Sequence, residues 1–297
     1  MKITTENFEY FIDGSWDYDK EKEIHTGIWI HPDKMDVSGG RITEKEIDRL
    51  ALYENKEAIT ISGLTQETFE YFIKTYGKEL RAVRFFKNKM VEDWSLLGTL
   101  PDIEYIHWFY NQRITKLWDM SGNTHLKGLC ISDFTRLKNL DGVEKAPALE
   151  WFSMRDSVWD NTEVESYTCF RNTNVKYLHF GGKNIIDKDV SFVKNMPKLM
   201  CFDFAPNLFE TEKIVWIMTN CSEVKGCALH TFIDDFMYNS ETGAYDIPAL
   251  CLPGKGKRCF KASDKAKMEK LQHELRQLMD KYRGRKYDEV FKEQKDV

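Results

Sequence analysis

Apolar residues in the middle of the chain recur in a short pattern, in which apolar side chains stand three and five positions after each start. Three copies begin two residues after a proline, at Ile103, Leu149 and Leu199. The eight starts lie 23–26 residues apart, at positions 56, 80, 103, 126, 149, 175, 199 and 224. Such alternation over a few residues is typical of a short strand with one buried face. The regular step predicts a stack of these strands around one continuous core.

The repeat resembles the leucine-rich repeat family, whose unit reads L-x-x-L-x-L-x-x-N over 20–29 residues. Asn88, Asn111 and Asn207 stand eight residues after their starts, where the family has asparagine. Other copies have a different residue there: Phe134, Ser157 and Lys183. The resemblance covers residues 56–231. It implies an α/β solenoid with a curved parallel sheet on its concave face, helices and turns on its convex face, and a cap at each end.

Three parts of the chain follow from this pattern. Residues 1–55 are predicted to form an N-terminal cap, and residues 56–231 the repeat solenoid. Residues 232–297 are predicted to form a C-terminal loop and a basic amphipathic helix. Caps are expected because the ends of a repeat stack would otherwise expose apolar edges.

Local signals predict elements within these parts. Thr43–Glu46 has the T-x-x-E form of a capping box, so a helix is expected to begin there. The spacing of apolar residues predicts return helices within residues 65–78 and 211–221, and another helix near the C-terminal end. The Asp13-Gly14 pair is typical of a hairpin turn, and the glycines and prolines of residues 239–260 indicate a loop.

Residues between the core positions face the other side of each strand, which the resemblance makes the concave groove. This face is rich in aromatic rings and arginine, the residue types enriched at interaction hot spots. We therefore expect a non-enzymatic protein that binds a protein partner here, as a scaffold or as an inhibitor- or immunity-type protein. In the alternative, the rings pack against one another or lie under a terminal segment folded back over the groove. The predicted partner-binding residues are Arg84, Phe86, Tyr105, His107, Phe109, Trp151, Arg155, Tyr177 and His179.

A hydrolase is the first alternative function. Ser153, His179 and Asp203 occupy the same position in three successive repeats, and neighbouring strands lie about 4.7–4.9 Å apart. These residue types can act as nucleophile, base and orienting acid. Regular strands use their amides in the sheet ladder, however, so no oxyanion hole is expected, and the protein is predicted not to be an enzyme.

Charge suggests a second alternative. The chain has 43 basic and 48 acidic residues, a net charge of −5. Residues 255–286 differ, with 12 basic and 4 acidic residues, so this segment would attract nucleic acid. Its acidic residues alternate with the basic ones along the predicted helix, which favours a solvated surface. A nucleic-acid partner is therefore not expected.

Seven cysteines and no apolar leader sequence indicate reduced thiols and a cytoplasmic protein. No C-x-x-C motif occurs, and His107 and His179 stand three repeats apart, too far to share a metal ion. Neither a metal nor a cofactor is predicted. No stretch approaches the roughly 18 apolar residues of a membrane span, so no membrane association is expected.

Overall fold

The chain forms an α/β protein around an eight-stranded parallel sheet, as a computed structural model describes it for residues 2–19, 21, 24, 25, 27–37, 39–156, 162–256 and 258–291. The helices are α1 (Phe8–Asp13), α2 (Glu44–Ile47), α3 (Gln66–Tyr76), α4 (Thr211–Asn220), α5 (Lys265–Tyr282) and α6 (Tyr287–Phe291). The strands are β1 (Tyr18–Asp19), β2 (Ile24–His25), β3 (Ile28–Ile30), β4 (Ala58–Ser62), β5 (Ala82–Phe86), β6 (Tyr105–Asn111), β7 (Gly128–Phe134), β8 (Trp151–Arg155), β9 (Glu163–Val164), β10 (Tyr177–Phe180), β11 (Asn184–Ile185), β12 (Cys201–Phe204), β13 (Ile233–Asn239), β14 (Ala244–Leu252) and β15 (Arg258–Lys261).

The repeat positions of the sequence pair directly across the large sheet. Its strand order is β12-β10-β8-β7-β6-β5-β4-β3, and every pair is parallel. The apolar residues three positions after the first seven starts form one buried row, each member 0% exposed: Ile59, Val83, Ile106, Leu129, Phe152, Leu178 and Phe202. The predicted α/β class and the predicted stacking of the repeat strands are confirmed.

The two ends of the sheet differ from the prediction. The eighth strand is β3, which belongs to the predicted N-terminal cap. The copy that starts at Val224 adds only an isolated bridge between Cys201 and Lys225. The ladder stops there because the Cys227 amide donates to the Asp203 carboxylate at 2.7 Å instead of to a strand carbonyl.

Buried asparagines close the turns that follow β5 and β6. Asn88 accepts the Leu64 N–H at 2.7 Å and donates to the Ile61 carbonyl at 3.0 Å. Asn111 donates to the carbonyls of Asn88 and Val91 at 3.0 and 2.9 Å. Each amide side chain therefore satisfies backbone groups of the neighbouring repeat that the ladder leaves unpaired.

Other repeats lack this turn. Asn207 is exposed, although the sequence pattern equates it with Asn88 and Asn111. At the equivalent position Phe134 places a ring that is 1% exposed, so apolar packing takes the place of the asparagine hydrogen bonds there. Lys183 is exposed, and Ser157 lies outside the described residues.

The predicted helices are present, whereas the predicted hairpin is not. The Thr43 side chain and the Glu46 carboxylate form a reciprocal capping box at the start of α2. Helices α3 and α4 follow β4 and β12 as the apolar spacing predicts. At Asp13-Gly14 the chain instead ends α1, with Gly14 in the left-handed conformation (φ +82°). A glycine in this conformation ends a helix as readily as it turns a hairpin.

The predicted C-terminal loop contains an antiparallel sheet of β13, β14 and β15. Its glycine at position 243 makes the turn between β13 and β14, with φ +71°. Cys251 and Cys259 face each other across β14 and β15 and form a disulfide, so the prediction that all thiols are reduced is wrong here. Disulfides are rare in the cytosol, and the cytoplasmic location stays a prediction.

Candidate functional site

The face of the large sheet opposite the main core carries the predicted partner-binding residues, and α1 lies on it. We call it the α1 face. Side chains of α1 and of the strands beneath it form a second buried cluster: Ile3, Phe8, Phe11, Ile12, Ala82, Tyr105, Cys130 and Trp151. Of the alternatives that the sequence left open, a terminal segment does fold back over this face.

The trough is the part of the α1 face under α1, formed by Ala82, Tyr105, Gly128 and Trp151 and flanked by Arg84 and Arg155. The Phe8 ring lies between Tyr105 and Trp151, with ring centroids 5.1 and 5.0 Å away. Gly128 leaves the space for it, because a Cβ atom there would lie 2.8 Å from the Phe8 ring. Aromatic contact and a missing side chain together shape a pit for this ring.

An ion pair joins α1 to the edge of the trough. The Arg155 guanidinium donates to both oxygens of the Glu9 carboxylate, at 2.5 and 3.1 Å. Its Nε atom donates to the Ser153 hydroxyl at 2.6 Å, and the group stands 5.4 Å from the centre of the Trp151 ring. These contacts hold the planar guanidinium group in one orientation, in which it can donate two hydrogen bonds to a carboxylate.

Arg84 marks the other side of the trough. Its guanidinium lies against the end of α1, where a Cβ atom at Gly14 would be 2.9 Å from Nη1. Burial lowers the pKa of Arg84, and the negative charges of Asp13 and Asp17 oppose that shift. The same guanidinium stands 5.0 Å from the centre of the Phe86 ring. Arg84 thus connects the covered trough with the uncovered part of the face.

Three of the predicted partner-binding residues do not meet water. Tyr105, His107 and Trp151 are 3–4% exposed, because α1 and neighbouring side chains cover them. For these three residues, the alternative of a covering terminal segment therefore applies. Periodicity assigned them to the correct face but carried no information about what lies above it.

The candidate hydrolase row is only partly connected. His179 Nδ1 lies 3.2 Å from the Asp203 carboxylate, and this hydrogen bond holds the pKa of Asp203 below its ordinary value. Ser153 is 0% exposed, and its hydroxyl accepts from Arg155. Within the described part of the chain no hydrogen bond joins Ser153 to His179, so the contact a nucleophile needs with its base is missing.

Aromatic rings form a surface cluster beside the trough, which we call the aromatic cluster: Trp29, Phe86, Phe109 and Tyr110. Phe86 and Phe109 stack with centroids 5.2 Å apart, and Trp29 meets Phe86 edge-on at 6.0 Å. Trp29 is 46% exposed and the other rings are partly exposed. Lys87 stands 5.3 Å from the centre of the Phe86 ring. Sequence reasoning missed Trp29 and Tyr110, although the apolar-aromatic-apolar run of Ile28–Ile30 is a strand signal.

The two remaining predicted residues lie at the far side of the trough. Tyr177 is partly buried and packs against the cluster under α1. The His179 ring lies 4.9 Å from the Trp151 ring. Of the nine predicted residues, Phe86 and Phe109 belong to the aromatic cluster, and the others lie under, beside or next to α1.

One group of metal-ligating residue types occurs among the described residues, outside the α1 face. The side-chain donor atoms of Asp235, Cys251 and Cys259 lie within 4.8 Å of one another. Both sulfur atoms are used in the disulfide, and a disulfide sulfur is not the thiolate that zinc requires.

No helix in the described part of the chain combines the length and apolar character needed to cross a membrane. No protein-family model matches the chain, and no curated protein matches it.

Proposed function

We propose that the chain is a leucine-rich-repeat-type solenoid that recognises a protein partner through its α1 face, without catalysing a reaction. The 23–26-residue step, the in-register parallel strands and the buried asparagines of two turns support the repeat assignment. A solenoid presents an extended surface that loses little conformational entropy on binding.

The aromatic cluster is the observation that carries this proposal. Large apolar side chains that remain exposed next to one another are typical of interaction sites rather than of an ordinary surface. Trp29 is 46% exposed, and the stacked Phe86 and Phe109 continue the apolar area along the sheet. Arg84 and Lys87 border the cluster. We therefore expect a partner that presents an apolar patch with acidic residues at its rim.

The proposal is tested by photo-crosslinking followed by affinity measurement. A benzophenone amino acid is placed at position 109, or at position 186 as a control, and the chain is irradiated in the cells that make it. Ile186 is 48% exposed, which matches Trp29, but lies next to β11 and away from the aromatic cluster. We expect a specific adduct from position 109 only.

The captured protein is then purified, and its affinity for four forms of the chain is measured by calorimetry. Trp29→Ala and Phe109→Ala are each expected to weaken binding by about 10-fold or more, as for an interface hot spot. Ile186→Ala is expected to bind like the wild type. Equal adducts from both positions, or full affinity in both aromatic variants, would contradict the proposal.

A further inference from the structure

We propose that the trough is a binding site for an acidic amphipathic helix of a partner protein, and that α1 is a resident occupant that such a helix displaces. This assignment rests on the proposed recognition function and adds to it the chemistry of the ligand. The charge of the trough, its shape and the contacts that hold α1 support this assignment.

The two arginines at the trough favour an occupant with a negative charge. Arg155 is partly buried, and the carboxylate that it holds through two hydrogen bonds belongs to Glu9 of α1. Arg84, on the other side, is partly buried next to the end of the same helix. An occupant that covered Arg155 without offering a carboxylate would leave the guanidinium, packed against Trp151, unpaired and shielded from water. An unpaired cation that is removed from water is costly, so an acidic occupant is favoured.

The shape of the trough selects a helix with apolar residues on one side. Phe8, Phe11 and Ile12 are 0–7% exposed and stand at positions i, i+3 and i+4. This is the spacing with which an amphipathic helix fills an apolar groove. Gly128 provides the pit for the first ring, since any side chain there would occupy its place. Glu9 follows that ring by one position and reaches Arg155 from the edge of the helix.

The resident helix makes contacts that a longer partner helix could also make. Helix α1 has six residues, and a helix this short is not stable in water by itself. Its order therefore depends on tertiary contacts: its three buried side chains, the flanking Ile3 and Trp16 in the same cluster, and the pair between Glu9 and Arg155. A longer partner helix would keep these contacts and could continue past Arg84 onto the aromatic cluster, which α1 leaves uncovered. Because α1 belongs to the same chain as the trough, its effective concentration there is high, which favours α1. The additional contact area of a longer helix favours the partner.

The test uses the full chain and a fluorescent peptide with the sequence of residues 2–17 as the probe. Two variants are designed to release α1: the double variant Phe8→Ala/Phe11→Ala, which removes its anchors, and Glu9→Arg, which changes only an exposed position. Circular dichroism and thermal unfolding verify that each remains folded. If α1 occupies the trough at least about 90% of the time, release raises the apparent peptide affinity by about 10-fold or more. We expect this increase in both variants.

Charge reversal identifies the site of binding. Adding Arg155→Glu to the Phe8→Ala/Phe11→Ala chain is expected to abolish binding of the native peptide and to restore binding of a peptide that itself carries Glu9→Arg. Arg136→Glu, at an exposed position outside the trough, is the matched control and is expected to leave binding unchanged. The proposal is overturned if the released variants bind the peptide no more tightly than the wild type does. It is equally overturned if charge reversal at Arg155 has no effect on binding.

The two proposals fail in different ways. If Trp29→Ala and Phe109→Ala weaken the captured partner but the released variants do not take the peptide, the assignment of the trough is wrong and surface recognition stands. If the peptide binds as expected while both aromatic variants keep full partner affinity, the aromatic cluster is not the recognition centre and the assignment of the trough stands.

Discussion

His107 illustrates how a single residue on the α1 face couples folding to pH. It is 3% exposed, and its Nδ1 atom has no hydrogen-bond partner among the described residues. Burial, together with the positive charges of Arg84 and Arg155, holds the pKa of His107 well below its ordinary value of 6.5. The unfolded chain therefore binds a proton here more readily than the folded chain does. The contribution of neutral His107 to the free energy of unfolding is therefore fully present above about pH 6.5 and is lost as the pH falls below that value.

We predict that the free energy of unfolding falls between pH 7 and pH 5, and that His107→Asn reduces this fall. The effect of one such histidine over this range is at most about 2 kcal/mol. Urea titrations at fixed ionic strength measure it. His125→Asn is the control, because the His125 side chain is 60% exposed. An unchanged pH dependence in His107→Asn would contradict the prediction.

At the scale of elements, the buried asparagine turns join one strand–turn unit to the next. Asn111 bonds four backbone groups: the carbonyls of Asn88 and Val91, and the N–H groups of Arg113 and Ile114. Asn111→Ala is expected to lower the free energy of unfolding by roughly 2–4 kcal/mol, because buried backbone groups lose their partners. Urea unfolding at neutral pH measures the loss.

Asn207 provides a matched control for that substitution. It holds the same position in the sequence pattern but is exposed. Asn207→Ala is expected to change stability by less than about 0.5 kcal/mol. If both alanine variants were equally destabilised, the difference between the buried and the exposed turn would have no energetic meaning.

Elements that a repeated pattern encodes could be predicted from the sequence, and isolated ones could not. The strands from β4 to β12 that carry the pattern repeat one apolar spacing, and their register followed from it. Strand β3 was not predicted, because Ile28 precedes its partner Ile59 by 31 residues, which lies outside the repeat step of 23–26 residues. Helix α1 was not predicted, because the Asp13-Gly14 pair is compatible both with a hairpin turn and with the end of a helix. Hence the residue types of the site were predictable, whereas the helix over them was not.

At the scale of the whole molecule, the C-terminal segment closes the end of the structure near β12. The apolar stripe of α5 packs on α4, and its Leu275 and Tyr282 are buried in the main core. Trp216 of α4 donates to the Arg285 carbonyl at 3.2 Å, and its ring meets the Tyr287 ring at 5.3 Å. The sequence predicted the stripe of α5 but left open whether it meets this chain or a partner. Such a stripe has the same spacing in either setting, so only the tertiary contacts distinguish them.

A substitution at Tyr287 tests the packing of the C-terminal segment against this end of the molecule. It is 6% exposed, packs on Trp216, and its hydroxyl donates to the Lys188 carbonyl at 3.2 Å. Replacing such a buried ring by alanine removes apolar contact and leaves a cavity, at a cost of about 3–5 kcal/mol. Because stacked units contact only their neighbours, the loss is expected to appear first at this end of the molecule.

Hydrogen exchange distinguishes this local opening from general unfolding. In Tyr287→Ala, we expect faster exchange in α4 and α5, since these helices pack on each other. Strands β5, β6 and β7 are expected to keep their protection, because they pair with one another near the middle of the sheet. Tyr245→Ala is the control, because Tyr245 is 73% exposed. Uniformly faster exchange along the whole sheet would mean that the end segment and the central strands unfold as one cooperative unit. The nearest-neighbour description of this molecule would then be wrong.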